Sequence, residues 1–134
     1  MTYVTDWTKY APFFKKEEFM CGCKNCKDVY VSEEFMDRLF KARNASRVKF
    51  VIASGGRCPE HNTKVNGAAN SDHLMSPENV CMGVDIRVNN STERYIIDDV
   101  CHKAGLTRYG HGNGFIHVGL AGRNPGDMIW LYKD

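Results

Sequence analysis

Histidine, cysteine and aspartate are the side chains that hold transition metals, and this 134-residue chain carries five His and six Cys. His73 stands in an Asn-, Gly-, Ser- and Pro-rich stretch, residues 66–81. Asp85 lies in the alternating segment after it, and His117 lies in Phe115-Ile116-His117-Val118. One His from a loop, with an Asp and a second His from adjacent strands, can give Zn²⁺ three protein ligands and leave a fourth position open. That is the arrangement of a hydrolytic zinc site. The same residues have a plainer reading, because a lone strand His is commonly a satisfied core or surface residue and a strand Asp can cap a turn. Spacing alone leaves both open.

The cysteines pose a second question. Cys21, Cys23 and Cys26 crowd into Cys21-Gly22-Cys23-Lys24-Asn25-Cys26. A metal knuckle wants a fourth ligand, and Cys58, His61, Cys81 and Cys101 are all distant in sequence. A turn of free thiols, or one local disulfide, is the competing reading. A disulfide framework suits a secreted chain, whereas a reducing compartment keeps thiols free. Cys101 falls in an amphipathic segment and reads as a small core residue.

The elements that must position these groups follow from periodicity. Residues 1–31 are aromatic and lysine-rich without a clean period, and read as an arm or short turns that wrap the domain. Ser32-Glu33-Glu34 resembles a helix cap with an acidic first turn. With Phe35, Met36, Leu39 and Phe40 behind it, a helix is expected over 32–45. Val48–Ile52, β-branched and followed by Ser54-Gly55-Gly56, reads as a strand. Pro59 opens a short helix to about Val65. Residues 66–81 read as a long loop, of the kind that is functional or disordered when found inside a compact domain. Strands are expected over 82–88, 115–118 and 128–132, a helix over 91–104 stopped by Gly105, and a tight glycine-rich turn over Gly110–Gly114. The fold class is α+β: a small, mostly antiparallel sheet flanked by helices, in a single domain with a zinc site on the sheet.

Composition narrows the function classes. At 43% hydrophobic and 25% charged the chain is globular, and its length suits one domain. No apolar run reaches the roughly 18 residues of a membrane helix. A net charge of +2 makes no electrostatic case for nucleic acid as a partner. The first residues show neither a basic nor an apolar leader region, so the expectation is a cytoplasmic protein.

Several motifs then follow one another in order: Ser54-Gly55-Gly56-Arg57-Cys58-Pro59-Glu60-His61-Asn62, Gly67-Ala68, Ser71-Asp72-His73, Gly83-Val84-Asp85-Ile86, Phe115-Ile116-His117-Val118, and Trp130 near the C-terminus. Over residues 32–132 the chain resembles the zinc D-Ala-D-Ala carboxypeptidase family of peptidoglycan metallopeptidases, which includes phage endolysin-type members. The resemblance implies that His73, Asp85 and His117 ligate zinc, that Arg57 faces the substrate as a clamp for a carboxylate or an oxyanion, and that Ser71 contacts the peptide. It implies hydrolysis of a peptide bond next to a D-amino acid in peptidoglycan stem peptides, as carboxypeptidase or endopeptidase. A phage-type lysis enzyme of this sort waits in the cytoplasm until it is released to the cell wall.

The chain departs from the family pattern at three places. A glutamate used by some relatives three residues before the last ligand is Gly114 here, and His111 is the ionisable group left nearby to act as general base. His73 and Asp85 lie farther apart than in the family, which reads as a loop insertion ahead of Gly83 that leaves ligation possible. Gly119 stands where the family often has Asp, and Asp127 or Asp72 could compensate. These departures keep an alternative open: a catalytically degenerate protein that binds zinc for cell-wall binding or structure. An interaction module built on a second metal at Cys21, Cys23 and Cys26 is a further possibility.

Overall fold

The computed structural model describes residues 2–23 and 25–133; Met1, Lys24 and Asp134 lie outside the described residues. Among the described residues the elements run α1 (Glu33–Ala45), β1 (Ile52–Ser54), α2 (Pro59–Lys64), β2 (Gly83–Arg87), α3 (Ser91–Lys103), β3 (Arg108–Gly112), β4 (Phe115–Gly119) and β5 (Met128–Leu131). The strands form one sheet in the order β1-β2-β4-β3-β5. It is antiparallel except at one edge, where β5 pairs parallel to β3. The α+β expectation holds, with a mixed rather than purely antiparallel sheet.

Local chemistry sets the element ends. Ser32 caps α1 by accepting from the Phe35 amide at 3.1 Å. Asn90 caps α3 in the same way from the Glu93 amide at 2.9 Å, and Glu93 reaches back to the Asn89 amide. Gly105, at φ +89°, ends α3 in the left-handed conformation that a side chain resists.

Alternation divides the sheet into two faces. Val84 and Ile86 of β2, with Ile116 and Val118 of β4, point into the core and are fully buried with Ile97 and Cys101 of α3 and Phe35, Met36 and Leu39 of α1. Each such aliphatic side chain contributes about 1.5–3 kcal/mol. The other face carries Gly83 and Asp85 of β2 opposite Gly119 and His117 of β4. One face therefore holds the sheet to its helices, and the other is free for chemistry.

Two local expectations change. The strand expected over 48–52 begins only at Ile52. Phe50 turns into an aromatic cluster with Phe14, Val51 is exposed, and the ladder with β2 is irregular between Ile52 and Ser54. β-branching marked extended backbone there, but the position of β2 decided where pairing starts. The turn expected over Gly110–Gly114 shrinks to Asn113-Gly114, because Gly110 and Gly112 are strand residues of β3. Rings cover these glycines. A Cβ at Gly110 would lie 2.4 Å from Trp130 and one at Gly112 2.2 Å from Phe115, so the glycines mark close approach rather than a turn. The N-terminal arm packs as structure: its short 3-10 helices, Trp7–Tyr10 and Lys16–Phe19, bury Tyr10 and Phe19 in the core, and the segment between them buries Phe14.

Candidate active site

Asp85 projects from β2 and His117 from the directly opposite position of β4. His73 arrives from the long loop. The excursion from Asp72 closes on itself because the Met82 amide donates to the Asp72 carbonyl at 2.8 Å, so the insertion leaves both ends in place. Within it, Met75, Val80 and Cys81 are buried, and one Nη of Arg123 donates to the carbonyls of Asp72, Leu74 and Val80. The loop is thus packed structure.

His73 Nε2 lies 3.2 Å from Asp85 Oδ1, and His117 Nδ1 lies 2.9 Å from the same oxygen. Among the described residues these three form one of two groups with metal-binding potential. The remaining imidazole nitrogens are both engaged. His73 Nδ1 lies 2.7 Å from the Gly55 carbonyl, which can only accept, and His117 Nε2 lies 2.8 Å from Asp72 Oδ2. Protons kept on those outer nitrogens would leave the lone pairs of His73 Nε2 and His117 Nδ1 for a bound metal; without one, these inner nitrogens face Asp85 as donors. A tetrahedral zinc with bonds of ~2.0 Å separates its ligands by about 3.3 Å, close to the spacing found. The donor set fits zinc.

Burial opposes the charge on Asp85, but hydrogen bonds from His117 and His73 outweigh it and hold the carboxyl well below the usual range. Burial likewise disfavours protonated His117, yet the Asp72 and Asp85 carboxylates beside it raise its pKa. Asp72 is buried, and hydrogen bonds from His117, Arg108 and Asn124 overcome that penalty to bring it to about 2. Arg108 Nε donates to Asp72 at 2.9 Å and Asn124 Nδ2 at 2.9 Å.

The Asp72 carboxylate lies against Gly119, the position where the family often has Asp. A Cβ on Gly119 would lie 2.9 Å from Asp72 Oδ2, and one on Gly83 2.8 Å from His117 Nε2. These two glycines face each other across the β2–β4 ladder. They leave a gap in the sheet face that the Asp72 carboxylate and the His117 ring fill. The carboxylate beside the His117 ring comes from the loop and not from position 119 of the strand. Asp127, the other residue considered for this part, sits in the turn before β5 at φ +57°.

Arg57 and Ser71 line the same cleft, of about 520 Å³, as His73, Asp85, His117, Phe115, Trp130 and Tyr132. The Arg57 backbone is pinned, its amide donating to the His73 carbonyl at 2.7 Å and its carbonyl accepting from Met75. Its Nη2 donates to Ser71 Oγ at 3.0 Å, while its buried Nε has no partner among the described residues. Ser71 Oγ also accepts from the His73 amide, which leaves its hydroxyl proton free to donate.

The structure does not bring His111 to this cleft. His111 pairs with Ile116 on β3, whereas Gly110 pairs with His117, so alternation sends His111 to the opposite face. There its Nδ1 meets Arg94 at 3.0 Å and its Nε2 lies 3.7 Å from Asp98 of α3. Burial, with Arg94 beside it, lowers its pKa against the pull of Asp98. Gly114, where some relatives carry glutamate, is at φ +79° with open space around its would-be Cβ.

Sequence reasoning missed Arg108, Arg123 and Asn124, which hold Asp72 and the loop. Each is a lone polar residue in a turn or strand, without a motif to flag it. It also left Cys58 among several distant options, although the structure places it with Cys21, Cys23 and Cys26.

Searches of curated proteins and of solved structures return no match. A family model described as Peptidase M15 matches residues 12–119, most of the chain and every residue of the Arg57, His73, Asp85 and His117 constellation. The chain belongs to the Peptidase M15 family and is thereby a peptidase.

Proposed function

We propose that this protein is a zinc-dependent peptidase that cleaves a peptide bond next to a D-amino acid in peptidoglycan stem peptides, and that it acts at the cell wall. One observation carries the reading. Gly55 and Asp72 fix the far nitrogens of both histidines, so that His73 Nε2, His117 Nδ1 and Asp85 Oδ1 converge at the floor of a cleft.

His73, Asp85 and His117 would hold the metal. Zn²⁺ supplies Lewis acidity to the scissile carbonyl and to the attacking water. The chain's own groups do the rest. The Arg57 guanidinium, steadied by Ser71, lines the cleft and offers its Nη donors to a substrate carboxylate or to the developing oxyanion. The spare Ser71 hydroxyl proton can donate to a peptide carbonyl. Phe115, Trp130 and Tyr132 form an aromatic wall, while Gly67 and Ala68 on the rim suit a small side chain such as that of alanine. Asp72 keeps a proton on His117 Nε2 and so keeps Nδ1 available as a ligand.

A second reading is favoured by a specific feature. Asp72 and Asp85, the carboxylates lining the cleft, are both committed, and His111 is on the far face. A protein that binds zinc and the wall peptide without turnover would show this pattern. Digestion of purified peptidoglycan, with product masses read with and without chelator, separates the two. Chelator-sensitive release of peptide or D-alanine supports the peptidase and names the bond. Zinc-replete protein that binds peptidoglycan but releases nothing supports the second reading.

A further inference from the structure

We propose that Cys21, Cys23, Cys26 and Cys58 form a second, purely structural zinc site that fastens the N-terminal arm to the segment bearing Arg57. The four sulfurs converge from two distant stretches of chain, and their ligand atoms all lie within 4.8 Å of one another. Cys21 Sγ is 3.8 Å from Cys58 Sγ, Cys23 Sγ is 3.4 Å from Cys26 Sγ, and Cys58 Sγ is 4.0 Å from Cys23 Sγ. A tetrahedron of Zn–S bonds of ~2.3 Å has edges of about 3.8 Å, so these spacings are those of a thiolate cage around one ion. Ordinary packing of free thiols gives no reason for four sulfurs to meet around one point.

The backbone supports the same assignment. The Cys58 amide donates to Cys21 Sγ at 3.4 Å and the His61 amide to Cys58 Sγ at 3.3 Å. Amide donors aimed at sulfur stabilise thiolates, which are the form that binds metal. All four cysteines are unbridged, one buried and three half-buried. Four protein ligands close the coordination shell, which marks a structural rather than a catalytic ion. On binding, the four thiols lose their protons to solvent as Zn²⁺ enters, so the site tightens as pH rises.

The position of the cage gives it a purpose. Cys58 follows Arg57 directly, and the Gly56 amide donates to the Phe19 carbonyl at 3.1 Å. Tying residues 21–26 to Cys58 therefore sets the strand end from which Arg57 reaches the cleft. The metal would act on the peptidase only through this placement.

Zinc content of the reduced, chelator-free protein tests the proposal, using His73→Ala/His117→Ala to empty the sheet-face centre and Cys23→Ser/Cys26→Ser to empty the cage. The double His variant should retain one tightly held zinc per chain, whatever becomes of the proposed peptidase activity. The Cys variant should lose that ion and keep the other. If the Cys variant does not fold, Co²⁺ in the His variant decides. Intense sulfur-to-cobalt charge-transfer absorption, with four thiols shielded from a thiol reagent, supports the cage. A metal-free His variant without that absorption overturns it, as does a mass four hydrogens low that reports two disulfides in place of the ion.

Discussion

Two clusters of metal-binding side chains lie in this small fold, and they are built on opposite plans. The sheet-face group offers three nitrogen and oxygen ligands at the floor of a cleft, its two histidines each oriented by a partner behind the ring. The cysteine group has four sulfurs and joins two segments that are otherwise tied, among the described residues, by packing and by the Gly56 and Cys58 amides. An incomplete shell leaves room for a reacting group, whereas a complete one leaves room for nothing. The difference teaches that the number of ligands, more than their identity, separates a centre that works from one that holds.

The comparison breaks most severely at His117. His117→Ala removes a proposed ligand and leaves the Asp72 carboxylate to Arg108 and Asn124, so hydrolysis of peptidoglycan should fall to the level of chelated protein while the zinc of the cysteine cage remains. Loss of both ions together would show that the centres are not independent. Arg57→Ala should come next, lowering turnover by about 100-fold with metal content unchanged, as expected for removal of one oxyanion donor. Arg57→Lys should recover only part, since an ammonium cannot offer two parallel donors. A change in KM alone would confine Arg57 to substrate binding.

Asp72 tests whether the loop has taken over the strand's part. Asp72→Asn should weaken zinc affinity or activity by about 10–100-fold, the usual cost of losing a carboxylate behind a ligating histidine. Gly119→Asp alone should destabilise, because its Cβ meets the Asp72 carboxylate at 2.9 Å. Combined with Asp72→Ala it should be tolerated and restore part of the affinity. Asp72 also carries a pH signature. Its pKa is held at about 2 against an ordinary 3.8, so its ionised form stabilises the fold above about 3.8, and that contribution is lost as pH falls towards about 2. Acid unfolding of metal-free Asp72→Asn should lack this component.

The cage is expected to matter to stability more than to chemistry. Cys58→Ser should lower the melting temperature and loosen the arm, seen as faster proteolysis near residues 21–26, while turnover at low temperature changes only a few-fold through Arg57. A melting temperature equal to that of wild type would deny the cage its fastening role.

Much of this was legible in the chain. Periodicity and caps located α1 and α3 because those helices obey local rules, Ser32 and Asn90 at one end and Gly105 at the other. Ordered motifs pointed to His73, Asp85 and His117, and the structure brings them together. What stayed hidden depends on contacts between distant segments. Cys58 joins the cysteine run only because the arm folds back over the start of α2, and Asp72 reaches His117 only because Gly83 and Gly119 lack side chains. Glycines proved ambiguous for the same reason, since Gly110 and Gly112 looked like a turn but clear space for Trp130 and Phe115.

The smallest effect is expected at His111, and it bears on whether chemistry is confined to one face of the sheet. A loop histidine near the last ligand looks like a general base, but strand register decides otherwise: His111 pairs with Ile116, whose side chain is fully buried on the helix side. Its neighbours are Arg94 and Asp98, and Arg94 is further held by the carbonyls of Gly112 and Phe115. His111→Ala should therefore leave turnover within about threefold of wild type and cost stability by no more than about 1 kcal/mol. A 100-fold loss of turnover with unchanged zinc content and melting temperature, in the range for losing a general base, would mean that the end of β3 carrying His111 rearranges in the working enzyme. Near-normal turnover would instead leave proton transfer to groups in the cleft, on the face that already holds Arg57, Ser71 and the three ligands.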